Sequence, residues 1–215
     1  MVHFYLQGIC ISAPVSGMGT TMSLVIAFIS AHGAVIGGDT REIITSGDRI
    51  STETLEHELY TGQIINDEAL QQRATELGVS LTIRDDKRKV TQRDGILVGE
   101  VSETEAGVTR KRRLYATAGE YALAEITSDD IRLTRKGKAG TFIVLGNQIA
   151  QHIAHSCIRE FGNNITLHDA IKIIMLSMKR SSDASASVSG LFDLVQTPLK
   201  VSLSEVIERD SIKCR

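Results

Sequence analysis

Two apolar runs near the start of the 215-residue chain, LVIAFIS (24–30) and AVIGGDT (34–40), are separated only by Ala31-His32-Gly33. Short apolar runs on either side of a glycine-containing turn have the pattern of a β-hairpin. Neither run alternates apolar with polar residues, so both strands are expected to be buried. The second strand ends in Gly37-Gly38, and the chain leaves it at Asp39.

The period then changes. Between Thr52 and Leu77 the pieces LEHELY and NDEALQQRATELG read as two short helices, with Asn66 as an N-cap and Gly78 as a C-terminal stop. VSLTIRD, KRKVTQ, GILVGEV, RRLYAT, YALAEIT, DIRLT and TFIVLG read as strands separated by polar and glycine turns. The clearest helix is NQIAQHIAHSCIREFG, where Ile149, Ile153, Cys157 and Phe161 repeat every four residues. A second helix opens at Thr166-x-x-Asp169, a near capping box. VSGLFDLVQT reads as a last strand, and the amphipathic C-terminal tail has no clear class. No internal repeat is present. This order predicts an α+β fold with a mainly antiparallel sheet.

The length fits one domain, or one domain with a sizeable insertion. Hydrophobic residues at 42% and charged residues at 23% are ordinary for a soluble globular protein. A net charge of −2 gives no argument for a nucleic-acid partner. Arg110, Lys111, Arg112 and Arg113 read most simply as a solvated strand or turn. Cys10, Cys157 and Cys214 are odd in number and widely spaced, which suggests neither a disulfide framework nor a zinc site and fits a reducing cytoplasm. The first 22 residues lack the basic start of a secretory signal, and no later run is apolar enough to cross a bilayer. SGMGTT lacks the Gly-Lys-Ser/Thr ending of a phosphate loop, and His152 and His155 lack a third ligand. No metal or cofactor is implied.

Ser23 and Asp39 carry the chemical argument. If Met22 starts the chain, the small Ser23 permits its removal and becomes the N-terminal residue. Such a serine joins nucleophile and base: the hydroxyl attacks, and an α-amine titrating near pH ~8 accepts the proton. It needs a carboxylate and a cation to orient it, and donors for the oxyanion. Asp39, at the end of the neighbouring strand, is placed to point back at residue 23.

SLVIAFISAHGAVIGGDTRE resembles the start of a proteasome β-type subunit, an N-terminal nucleophile hydrolase, in which an Asp-Thr-Arg motif follows the nucleophile by sixteen residues; here 39 − 23 = 16. From residue 22 to about 200 the chain is more closely similar to the connectases of methanogenic archaea. Gly19-Thr20 mimics a proteasome processing site, but counted from Thr20 the aspartate falls three residues too late. Residues 1–22 are therefore expected to be an over-long start or a removable propeptide, and 23–215 a proteasome-like domain with an insertion at about 43–110.

The resemblance implies a sandwich of antiparallel sheets flanked by helices, with the insertion helices covering the second sheet. It also implies a catalytic lysine before a Leu-Tyr type pair. KRRLY puts Arg113 at that position, and strand periodicity puts Lys111 on the same face, so either is expected to meet Asp39. FIVLGNQIA resembles the family's strand-to-helix corner, making Gly146 a candidate oxyanion donor. The family's late Asp-x-x-Ser-Gly motif is not reproduced: Asp183 lacks the glycine, and Ser189-Gly190 comes too late. The activity implied is sequence-specific protein ligation at a Lys-Asp-Pro-Gly-Ala motif, found in the A subunit of the methanogen methyltransferase complex, by a monomer. A proteasome-like serine peptidase and a non-catalytic scaffold are the alternatives.

Overall fold

The structure, a computed structural model, describes residues 5–6, 9–11, 20–21, 24–105, 108–127 and 130–213. Its strands are β1 (Tyr5–Leu6), β2 (Ile9–Ile11), β3 (Thr20–Thr21), β4 (Val25–Ser30), β5 (Gly33–Asp39), β6 (Glu42–Ser46) and β7 (Ser80–Arg84). They continue with β8 (Val90–Arg93), β9 (Ile96–Glu105), β10 (Val108–Thr117), β11 (Glu120–Ile126), β12 (Ile131–Lys138), β13 (Thr141–Leu145) and β14 (Phe192–Thr197). The helices are α1 (Arg49–Tyr60), α2 (Asp67–Glu76), α3 (Gln148–Glu160), α4 (Leu167–Ala184) and α5 (Leu203–Lys213).

The hairpin forms where its two apolar runs predict it. β4 pairs antiparallel with β5, from Val25 opposite Gly38 to Ser30 opposite Gly33. It lies in a six-stranded sheet of order β1-β2-β13-β4-β5-β14. Its continuous hydrophobicity follows from having a layer on each face. Leu24, Ile26 and Phe28 pack with Val35, Phe142 and Val144 against α3 and α4. Val25, Ala27 and Ile29 point the other way, into a core shared with Leu97, Val101, Leu114, Ala116 and Leu123 of the second sheet. That sheet runs β12-β11-β10-β9-β3, with β8 also pairing β9. The fold is thus α+β, two largely antiparallel sheets face to face with helices outside.

α5 covers the outer face of the second sheet. Leu203, Val206 and Ile207 pack on Ile96, Val98, Tyr115, Ala122 and Ala124. The expectation that the insertion helices cover this sheet does not hold. α1 and α2, with β6 paired to β7, instead close their own core of Ile43, Leu55, Leu59, Tyr60, Ile64, Leu70, Ala74 and Val79, sealed against the body by Ala186. The self-contained unit spans 42–84, narrower than the expected 43–110, because β8, β9 and β10 belong to the second sheet. Asn66 caps α2 as expected, its side chain accepting from the Ala69 N–H at 2.8 Å. The Thr166–Asp169 capping box opens α4.

α3 is rotated from its expected face. Ala150, Ala154, Cys157 and Ile158 are buried, whereas Ile149 lines an open cleft and Phe161 is 38% exposed.

The paired glycines of GGDT each serve one face of β5. A Cβ on Gly37 would lie 2.4 Å from Ile174 Cγ2 of α4, and one on Gly38 would lie 2.8 Å from Val90 Cγ1 of β8. Gly37→Ala is expected to push α4 off the sheet and lower stability by about 1–3 kcal/mol, the usual range for overpacking. Urea unfolding checks this as a lowered midpoint at unchanged slope.

Candidate active site

The last residue of β5 is the centre of the site. The Asp39 N–H donates to the Leu24 carbonyl at 3.0 Å, so the strand is still in register where its side chain turns inward. Asp39 Oδ1 accepts from the Leu24 N–H at 2.7 Å, and Oδ2 accepts from the Arg41 N–H at 3.0 Å. Lys89 Nζ reaches both oxygens at 2.8 Å. Asp39 is 0% and Lys89 5% exposed, so this ion pair lies inside the protein. Burial pushes the Lys89 ammonium below the usual lysine range; Asp39 and Asp85 oppose that shift, and Lys87 adds to it. Lys89 stands directly before β8, and Gly38 is the reason β8 approaches so closely.

A third wall comes from the segment between α4 and β14. The Ser189 N–H lies 3.5 Å from Asp39 Oδ2. The Ser189 hydroxyl accepts from the Leu191 N–H at 2.9 Å and from Thr40 Oγ1 at 3.4 Å, and it bonds Asp85. Ser189-Gly190, set aside in sequence as too late, therefore reaches Asp39. β14 pairs with β5 from Phe192 opposite Asp39, which brings the residues just before it to this end of the sheet.

Ser23 lies outside the described residues. The residue after it, Leu24, is fully buried and bound to Asp39 through both its N–H and its carbonyl. Gly146 closes the same end of the sheet: Leu145 sits opposite Val25, and the chain turns at Gly146 into α3. The corner is held firmly. Asn147 caps α3 through the Ala150 N–H at 2.9 Å and donates to Ser187 Oγ at 2.7 Å, while Gln151 Nε2 donates to the Gly146 carbonyl at 2.5 Å.

Neither Arg113 nor Lys111 meets Asp39. The two do share a strand face, as their spacing predicts, but it is the outer face of the second sheet. Leu114 and Ala116 take the inner one. Arg113 donates to Glu100 at 2.7 Å and to Asp210 of α5 at 3.0 Å, and Lys111 pairs with Glu100 at 3.1 Å. Tyr115 Oη donates to Asp210 at 2.9 Å, and burial pushes this phenol up to about 12. Arg113→Ala is expected to loosen α5 and cost about 1.5–3 kcal/mol, the range for hydrogen bonds to charged groups. At this chain length that is a melting point lower by roughly 3–12 °C, with turnover per folded molecule unchanged.

Sequence reasoning missed Lys89 and Ser189. The available signal for Lys89 was a lysine immediately before an apolar strand start, in KRKVTQ. No spacing in the sequence says which of five neighbouring cations, Lys87, Arg88, Lys89, Arg84 or Arg93, turns inward. Among the described residues no three His, Cys, Asp or Glu side chains gather as a metal site, and no helix is long and apolar enough to cross a membrane.

The family model described as "Connectase MJ0548-like, N-terminal domain" matches residues 22–212. The chain belongs to the connectase family. Among solved structures, this connectase-family chain is similar to eukaryotic HslV from Trypanosoma brucei, at 16% identity and a TM-score of 0.34, over 80% of this chain and 98% of that one. It is similar to Anbu from Pseudomonas aeruginosa, seen as a helical assembly, at 15% identity and a TM-score of 0.34 over 80% of each chain. It is also similar to Anbu from Yersinia bercovieri, at 13% identity and a TM-score of 0.33 over 81% of each chain. No curated protein matches the chain.

Proposed function

We propose that the chain is a peptide acyltransferase that acts from Ser23 as an N-terminal residue, with Asp39 and Lys89 orienting it and the Gly146 N–H helping to hold the oxyanion. The observation that carries this reading is the buried Asp39–Lys89 pair, tied through Asp39 to the residue that follows Ser23. Buried ion pairs add little net stability, since apolar residues of similar volume do as well or better. A site that keeps one, with four backbone and side-chain donor groups converging on a single carboxylate, is organised for charge. A lysine ammonium has three N–H groups, and Asp39 takes two. The third is left to orient the nucleophile. The family match begins at residue 22, one residue before Ser23, which supports reading 1–22 as an over-long start or propeptide.

The reaction follows from those groups. Ser23 Oγ attacks the substrate carbonyl while the α-amine takes its proton, and the oxyanion meets the Gly146 N–H at the N-terminus of α3. Collapse expels the downstream amine, which takes the proton, and leaves an ester. The neighbouring α-amine attacks that ester; the bond from carbon to Oγ breaks, one amine proton passes to Oγ, and the acyl group is stored as an amide. Amides resist water far better than esters, so an incoming amine competes well when the ester re-forms. The substrate we propose is a protein carrying Lys-Asp-Pro-Gly-Ala, as in the A subunit of the methyltransferase complex of methanogens. A cytoplasmic setting and a monomeric state belong to this proposal.

Ligation and hydrolysis are separated by partition. Protein beginning at Ser23 is mixed with a peptide containing the motif and a second peptide offering a free amine. Joined product in large excess over hydrolysed product is expected. Hydrolysed product alone moves the reading to a serine peptidase.

A further inference from the structure

The two charges of the proposed site bracket an excursion of the chain. Asp39 is the last residue of β5 before the chain leaves the two large sheets, and Lys89, fifty residues on, directly precedes the return at β8. Their alignment therefore depends on how the neck of this excursion is closed. β6 and β7 pair from Glu42 opposite Arg84, the Lys87 N–H donates to the Thr40 carbonyl at 3.0 Å, and Lys87 pairs with Glu42.

Arg41 ties this neck to everything around it. Arg41 is buried, 7% exposed. Nε and Nη2 each donate to Asp85 at 2.9 Å, on the returning segment four residues before Lys89. Nη1 and Nη2 donate to Asp67 at the start of α2, at 2.5 and 3.1 Å, and Nη1 also donates to the Ala186 carbonyl at 2.8 Å. All five guanidinium N–H groups thus have acceptors, and the Arg41 main-chain N–H holds Asp39 Oδ2. Asp85 in turn bonds the Ser189 hydroxyl, whose own N–H faces Asp39, and its carboxyl is held below the ordinary range chiefly by Arg41.

We propose that Arg41 is a positioning residue that makes the alignment of Asp39 with Lys89 conditional on the seating of the 42–84 insertion against the body. The inference rests on the acyltransferase reading. A substrate loop or partner that shifts the insertion would act on the site through this side chain, beside the Lys87 contacts of the neck. Lysine cannot replace it, because three donors on a point charge cannot span two carboxylates and a carbonyl in one plane.

Arg41→Lys and Asp85→Glu test this, because both keep every charge while breaking the bidentate fit. The charged groups facing Lys89 (Asp39 from β5, and Lys87 and Asp85 from its own segment) are then still present. Two readouts are taken on protein beginning at Ser23: turnover per folded molecule, and the Lys89 titration from its side-chain carbon resonance. In the parent protein Lys89 is expected to titrate below the usual lysine range. In both variants it moves up toward that range as water enters, and kcat falls ~10–100-fold, as for lost supporting contacts, with KM little changed. Lowered melting points with the parent kcat and the parent Lys89 titration would show that the clamp only holds the fold together. If the parent protein turns over no peptide, the resonance still decides the clamp, and it is the acyltransferase reading that falls.

Discussion

Lys89→Met lowers the acyl-transfer rate by about 10²–10³-fold, the range for removing one preorganised donor from a site. Methionine is close to lysine in length and fills the same space, so packing at β8 is retained and charge is what changes. The substitution also leaves Asp39 buried without its cation. Breaking one side of a buried pair costs about 3–5 kcal/mol; here the Leu24, Arg41 and Ser189 N–H groups still face the carboxylate, which puts the loss at the lower end. Asp39→Asn combined with Lys89→Met removes both charges and recovers much of the lost stability while activity stays absent. Parallel assays of Lys89→Met and Arg113→Ala compare the two cations that structure and sequence bring forward. Activity kept by the first and lost by the second would reverse the assignment made from the geometry.

Ser23→Ala abolishes covalent capture of substrate, since no other hydroxyl has both an adjacent α-amine and the sixteen-residue spacing to Asp39. Thr20→Ala leaves capture unchanged in protein started at Met22, because residue 20 is then not in the chain. In the full-length chain it also leaves capture unchanged if 1–22 is removed. Ser23→Thr keeps the hydroxyl and adds a methyl that restricts its rotamers. It is expected to alter the rate and preserve the adduct. Mass spectrometry of each variant after mixing with peptide reads all of these outcomes directly.

How far the sequence could be read followed from the range of the interaction concerned. The hairpin was legible because burial on both faces leaves no polar position in LVIAFI, and Asp39 was legible because it ends that hairpin. Caps at Asn66 and Thr166 were legible because a cap is decided within four residues. Lys89 was not, because the contact that selects it spans fifty residues and depends on Gly38 admitting β8. Arg113 was misread for a related reason. Strand alternation says that Lys111 and Arg113 share a face, but only the second layer, with α5 laid over it, says which face is outward. Ser189 was discounted by counting along the chain, whereas pairing of β14 with β5 fixes its place. The clamp at Arg41 joins four stretches of sequence, and nothing local announces it.

The central claim is that chemistry happens at Ser23 once it is N-terminal. Protein expressed from Met22 is weighed intact before and after mixing with a peptide containing Lys-Asp-Pro-Gly-Ala. The account predicts loss of the methionine, then a stable added mass equal to the acyl fragment, localised to Ser23 and absent from Ser23→Ala. A trimmed chain whose mass never changes at any peptide concentration, or an adduct that survives Ser23→Ala, would contradict it.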